Sequence, residues 1–150
     1  MIQFTNMVEY GENVNRIGII KGTELEEAVN NEFKGETMEV GLYLAMARQA
    51  EREGYPEIAA VLRSIAMDEA YHAARFAELN GMIKENIKES LKAALSGEMK
   101  ANKWKREVAV KAKELGIDEA HDIWDEASRD EYRHAEALRG LLKRYFNEDV

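Results

Sequence analysis

An internal repeat limits the possible folds of this chain more than any other feature of its sequence. When the sequence is shifted by 62 residues, identical residues align without a gap across about forty positions. The aligned identities are Gly35-Glu36 with Gly97-Glu98, Ala47 with Ala109, Ala50 with Ala112, Gly54 with Gly116, Glu57 with Glu119, Asp68-Glu69 with Asp130-Glu131, and His72-Ala73 with His134-Ala135. Such an unbroken register predicts two copies of one supersecondary unit.

Each copy has the sequence pattern of two helices joined by a tight turn. In the first copy, a capping box of Thr23 and Glu26 predicts the start of a helix that ends at Gly54. Pro56 then begins a second helix, because proline is well tolerated in the first turn, and this helix is expected to end near Asn80. The first copy is therefore a predicted helical hairpin.

The second copy repeats this plan and completes the predicted fold. Its first helix ends at Gly116, and Asp118 is expected to cap the last helix. Two hairpins supply four amphipathic helices, so we predict an all-α, ferritin-like four-helix bundle over residues 23–150. Residues 1–22 lie outside the repeat and form an N-terminal arm, in which the isoleucine-rich segment 17–20 could be extended.

The composition excludes several classes of protein. A formal net charge of -8 disfavours nucleic acid as a partner. A basic run on the third helix is interpreted, for the most part, as a solvated face: Lys100, Lys103, Lys105, Arg106 and Lys111. No apolar run approaches the ~20 residues that span a bilayer, and no signal peptide is visible. Because the 150 residues of the sequence include no cysteine, they form no disulfide, iron–sulfur cluster or zinc–thiolate site. We therefore expect a cytoplasmic protein.

Each hairpin carries a glutamate on its first helix and a Glu-x-x-His motif on its second helix. Residues three apart share one helical face, so both side chains of such a motif can bind one metal ion. Solvated glutamates and structural histidines would explain single residues of this set, but four carboxylates in a bundle core need cations to offset their charge. Carboxylate and imidazole ligands suit iron or manganese. The six candidate ligands are Glu36, Glu69, His72, Glu98, Glu131 and His134.

The segments that carry these motifs resemble the ferritin-like domain of the rubrerythrin family. The resemblance covers about residues 24–146 and is closest at Gly35-Glu36, at residues 53–59 and 65–73, and at residues 131–134. It implies a site of two iron ions held by the six candidate ligands, and reduction of hydrogen peroxide to water. It also implies that Tyr43, seven residues after Glu36, lies near the irons. Tyr43 is therefore a candidate catalytic residue that would hydrogen-bond a bound oxygen species or relay an electron; the alternative is a core aromatic whose hydroxyl bonds to a glutamate.

The chain departs from the family pattern in three respects. It lacks the cysteines of a rubredoxin domain, so electrons would come from an external donor such as rubredoxin. Ala101 replaces a second glutamate of the third helix, while the repeat-related Glu39 is either a seventh carboxylate ligand or a glutamate on a solvated face. The family also has a tyrosine on this helix, about where Lys105 and Arg106 stand here.

These observations lead to one main hypothesis and two alternatives. The main hypothesis is a di-iron redox protein that reduces hydrogen peroxide or dioxygen with electrons from an external donor. A ferroxidase or iron-handling protein is an alternative of the same metal-based class, and a metal-free helical interaction module is an alternative of another class. Manganese in place of iron is compatible with the same ligands.

The short link between the hairpins predicts a homodimer. The spacing of Ile83, Ile87, Leu91 and Leu95 extends the third helix backwards, which leaves about three residues, 81–83, as a link. Such a link spans roughly 10 Å, whereas the parallel second and third helices of a ferritin-like bundle place its ends ~25 Å apart. We therefore expect two chains to exchange hairpins, with residues 24–80 of one packed on residues 97–147 of the other. The alternative is a monomer in which residues 83–96 unwind.

Overall fold

The computed structural model describes residues 17–150, which form four long helices without a strand. The helices are α1 (Glu26–Arg52), α2 (Pro56–Leu79), α3 (Ile87–Glu114) and α4 (Asp118–Phe146). α1 packs on α2, α3 packs on α4, and the chain divides into two compact units after Ile83. The predicted all-α class and the four helices of a ferritin-like bundle are confirmed. None of the helices within residues 17–150 is long and apolar enough to cross a membrane.

Three of the helices end in the same hydrogen-bonded turn, which explains the repeated glycines. At the end of α1, the N–H of Tyr55 donates to the carbonyl of Ala50, reaching back past Gly54. α2 and α3 end with the same pattern around Gly81 and Gly116, and all three glycines have φ between 64° and 84°. This Schellman turn needs a left-handed residue, which glycine supplies without a steric penalty.

The beginning of α1 keeps the predicted capping residues but shifts their partners. The hydroxyl of Thr23 accepts a hydrogen bond from the N–H of Leu25 at 3.3 Å. The carboxylate of Glu26 accepts one from the N–H of Gly22 at 2.7 Å. Each partner lies one residue earlier than in a regular capping box. The helix therefore begins at Glu26, later than the sequence pattern predicted.

The prediction that Asp118 caps α4 is wrong. Ile117 occupies the N-cap position, and Asp118 is the first helical residue. The carboxylate of Asp118 instead accepts a hydrogen bond from Nζ of Lys113 at 2.8 Å. A nearby cation at the end of α3 thus binds the side chain that would otherwise bond to the backbone.

The link between the hairpins is longer than predicted. α3 begins at Ile87, and the side chain of Asn86 caps it by accepting the N–H of Glu89 at 2.9 Å. The expectation that α3 follows directly after a link of residues 81–83 is therefore wrong. The spacing of apolar residues extends beyond the N-terminus of α3, because this spacing does not indicate which residue caps the helix.

Residues 17–22 form turns, so the expected extended conformation of segment 17–20 is wrong. The N–H of Gly18 donates to the carbonyl of Glu78 at 2.8 Å, which joins this segment to the end of α2. Residues 1–16 of the predicted N-terminal arm lie outside the described residues. The domain boundary after residue 22 stays a prediction.

Small side chains form the centre of each hairpin. Ala47 and Ala59 are fully buried in the first hairpin, and Ala109 and Ala135 are almost fully buried in the second. Leu142 is the largest apolar side chain that is completely buried. Because alanine contributes little apolar area, each hairpin has a thin core, which favours a further layer of helices against it.

Candidate metal centre

The first hairpin gathers three of the six predicted ligands. One ligand atom from each of Glu36, Glu69 and His72 lies within 4.8 Å of the other two. Nδ1 of His72 is 2.8 Å from Oε2 of Glu69 and 3.7 Å from Oε2 of Glu36. Glu69 and His72 approach each other because they lie one turn apart on α2, while α1 supplies Glu36 across the hairpin.

The second hairpin gathers the other three in the same way. Glu98, Glu131 and His134 place ligand atoms within 4.8 Å of one another. Nδ1 of His134 is 3.1 Å from Oε2 of Glu131 and 3.5 Å from Oε2 of Glu98. The repeat of the sequence is therefore also a repeat of side-chain geometry, in which each hairpin forms one half-site with two glutamates and one histidine.

Hydrogen bonds within the first half-site shift the protonation of its side chains. A hydrogen bond to Glu69 raises the pKa of Glu36, with further contributions from desolvation and from the charge of Glu69. The same hydrogen bond, together with one from His72, lowers the pKa of Glu69. The hydrogen bond to Glu69 raises the pKa of His72. These shifts arise because two carboxylates and an imidazole lie close enough together to bind one cation.

The second half-site contains a cation that has no counterpart around the first half-site within residues 17–150. Nζ of Lys105 forms an ion pair with Oε1 of Glu131, the carboxylate whose other oxygen faces His134. The side chains of Lys105 and Glu131 are only 23% and 14% exposed, so this pair lies mostly out of solvent. The 62-residue shift aligns Lys105 with Tyr43, which is half-buried on α1.

The interpretation of the basic run as a solvated face is right for some of its members and wrong for Lys105. The side chains of Arg106 and Lys111 are 63% and 66% exposed. Lys105 instead points at a candidate ligand. The repeat contained the signal that identifies it, because Lys105 occupies the position equivalent to Tyr43, already a candidate site residue.

Two further candidate residues from the sequence lie outside the two groups of ligands. Glu39 is exposed on α1 and does not belong to the group formed by Glu36 and its partners, and its role as a seventh ligand stays a prediction. The catalytic role of Tyr43 also stays a prediction. The third histidine, His121, is bonded through Nδ1 to the carbonyl of Ala109 at 2.8 Å, as a structural histidine would be.

The donor atoms of the two half-sites fit a carboxylate-bridged metal centre. Glutamate pairs with Glu-x-x-His motifs on helices are the ligand set of ferritin-like di-iron and di-manganese proteins. Oxygen and imidazole donors of this kind suit iron and manganese. Comparison with protein families agrees with this assignment, since residues 27–141 match the family model described as rubrerythrin.

The chain belongs to the rubrerythrin family. A rubrerythrin domain implies a di-iron site, and the two half-sites contain suitable candidate ligands. A protein of Methanocaldococcus jannaschii, described as uncharacterized, is 63% identical over 134 residues, which cover 89% of this chain and 95% of that protein. Reverse rubrerythrin-1 of Clostridium acetobutylicum is 45% identical over 150 residues, which cover 96% of this chain and 83% of that protein.

Proposed function

We propose that this rubrerythrin-family protein reduces hydrogen peroxide, or dioxygen, at a di-iron centre, with electrons from an external donor such as rubredoxin. The observation that carries the proposal is the matching geometry of the two half-sites, each with two carboxylates and a histidine directed at one point. Membership of the rubrerythrin family supports iron as the metal and redox chemistry as its use. Because the 150 residues contain no cysteine, they hold no rubredoxin site of their own.

In this proposal the two half-sites together hold two iron ions. Two bound ferrous ions would supply the two electrons that, with two protons, convert hydrogen peroxide into two molecules of water. The four glutamates would balance the charge of two ferrous ions, and the two histidines would bind through Nδ1. Tyr43 lies seven residues after Glu36 on the same face of α1 and would hydrogen-bond to the substrate.

We also propose that the complete site forms in a homodimer whose chains exchange hairpins. One hairpin supplies three ligands, so a di-iron site needs a second hairpin. A ferritin-like bundle has parallel second and third helices, and the link between them must then travel the length of the bundle. The seven residues between α2 and α3 are too few for this path, so the second hairpin would come from another chain.

An apolar stripe beside the ligands supports the association of hairpins. On α2, Ile58 and Val61 precede Glu69 and His72 by three helical turns and are 52% and 60% exposed. On α4, Ile123 precedes His134 by the same interval and is 60% exposed. Burying the exposed part of such side chains contributes about 1–2 kcal/mol each, which favours packing of another hairpin over the ligand face.

Anaerobic loading with Fe(II), followed by peroxide and a reductant, tests the proposed function. We expect about two iron ions per chain by elemental analysis, and peroxide consumption that continues only while reductant is supplied. A variant with both His72→Gln and His134→Gln is the matched control, and it should lose iron and turnover together. Net iron mineralisation without reductant-dependent turnover would instead favour an iron-handling protein, and absence of bound metal would favour a helical interaction module.

A further inference from the structure

We propose that Lys105 competes with metal for Glu131, so that the two metal positions of the site fill in sequence. The half-site of Glu36, Glu69 and His72 would bind first, and the half-site with Lys105 would bind second. This inference rests on the proposed metal function. It assigns a role to a residue on α3 that differs from its repeat counterpart, Tyr43.

The contact that carries the inference uses both oxygens of one carboxylate. Oε1 of Glu131 is paired with Nζ of Lys105, and Oε2 lies 3.1 Å from Nδ1 of His134. Both partners of the ion pair are mostly shielded from water, so their attraction is screened less than that of a surface pair. In the metal-free protein, the ammonium group therefore neutralises Glu131 in place of a metal ion.

Among the described residues, the first half-site has no such competitor. Within residues 17–150, the only ion-pair partner of Glu36 and of Glu69 is His72. The position that corresponds to Lys105 is Tyr43, which carries no positive charge at neutral pH. The two halves share their ligand types and spacing, and Lys105 adds a positive charge to the second half. Glu39, which aligns with Ala101, adds a negative charge near Glu36 in the first half, so both differences favour binding of a cation there first.

This difference in charge should separate the affinities of the two positions. A divalent cation that binds Glu131 must displace the ammonium group, and the displaced group then remains as a like charge near the metal. Changes in the partners of metal ligands commonly alter metal affinity by about 10–100-fold. We expect a difference of this size between the first and second binding steps.

Titration of the metal-free protein with Co(II), followed by visible absorption, tests the inference without measuring turnover. The wild-type protein should bind in two steps whose dissociation constants differ by about 10–100-fold. Lys105→Met and Lys105→Tyr remove the charge and should tighten the second step until one step remains. Lys105→Arg keeps the charge and should retain two steps. Lys103→Met, a change at an exposed lysine on the same helix, is the control and should leave both steps unchanged.

Ligand variants identify which half-site fills first. His72→Gln should remove the tight step, whereas His134→Gln should remove the weak step. Equal dissociation constants in the wild-type protein and Lys105→Met, or loss of the tight step in His134→Gln, would overturn the role of Lys105 while leaving the metal site in place. Absence of Co(II) binding to the wild-type protein would overturn the metal site itself.

Discussion

Lengthening the link between the hairpins should convert the proposed exchanged dimer into a monomer. In a ferritin-like bundle, the ligands of all helices lie at one level along the bundle axis. Glu69 lies ten residues before Leu79, and Glu98 lies eleven residues after Ile87. At ~1.5 Å per residue, α2 ends about 15 Å below this level and α3 begins about 16 Å above it. A link within one chain must therefore cover about 31 Å along the axis.

The chain between α2 and α3 cannot cover this distance. The Schellman turn folds the first part of the link back on α2, with the N–H of Met82 bonded to the carbonyl of Ala77 at 2.9 Å. Residues 83–86 remain, and the five Cα steps from Met82 to Ile87 reach about 18 Å when fully extended. Even if the Schellman turn unwound, the eight Cα steps from Leu79 to Ile87 would reach only about 29 Å, which is less than the distance to be covered along the bundle axis.

An insertion of about twelve Gly and Ser residues after Lys84 adds up to ~40 Å of reach and removes this restriction. A flexible link gives the two hairpins of one chain an effective concentration of about 1 mM, so at ~10 μM protein the monomer should be favoured by about 100-fold. Light scattering coupled to size-exclusion chromatography measures the mass directly. Replacing residues 83–86 with the same number of Gly and Ser residues is the control, and this variant should stay dimeric.

Two results would refute the argument from link length. The first is a monomeric wild-type protein that binds two metal ions per chain, since this would require closure by the short link. The second is a lengthened variant that remains dimeric at micromolar concentration while retaining its helix content. Either result would mean that the distance to be bridged does not determine which hairpins pair.

Three further predictions follow from the packing and charges of single residues. Leu142→Ala, at a completely buried position, should lower the free energy of unfolding by about 2–5 kcal/mol, whereas Leu115→Ala, at a position 64% exposed, should cost less than about 1 kcal/mol; chemical denaturation measures both. A hydrogen bond from Lys88 lowers the pKa of Glu148, and this contact should hold the C-terminal residues against the start of α3. The contact should be complete at pH values above about 4.5 and should weaken as the pH falls through the lowered pKa of Glu148. NMR across this pH range measures the contact, and Glu148→Gln should remove its pH dependence. Bound metal at a free concentration of 100 times its dissociation constant should stabilise the protein by about 2.7 kcal/mol, so chelation should lower its melting temperature. Calorimetry measures this change, and a variant that lacks both site histidines should not show it.

The features that the sequence predicted well depend on contacts between near neighbours. Glycines 54, 81 and 116 end helices because a left-handed turn follows from local backbone sterics. Glu69 and His72 meet because three residues along a helix return to the same face. Asp118 and the start of α3 were predicted less well, since capping depends on which nearby group competes for each side chain.

The sequence by itself determined the four helices, the repeat and the identity of the candidate ligands, because periodicity and spacing act within a single helix. Only the tertiary structure decided that Glu36 and Glu98 each join the motif of a neighbouring helix, and that Lys105 pairs with Glu131. Lysine is long and flexible, and the carboxylate it reaches depends on how α3 packs against α4. That packing depends on the shapes of buried side chains from both helices, which the spacing of residues along one helix does not encode.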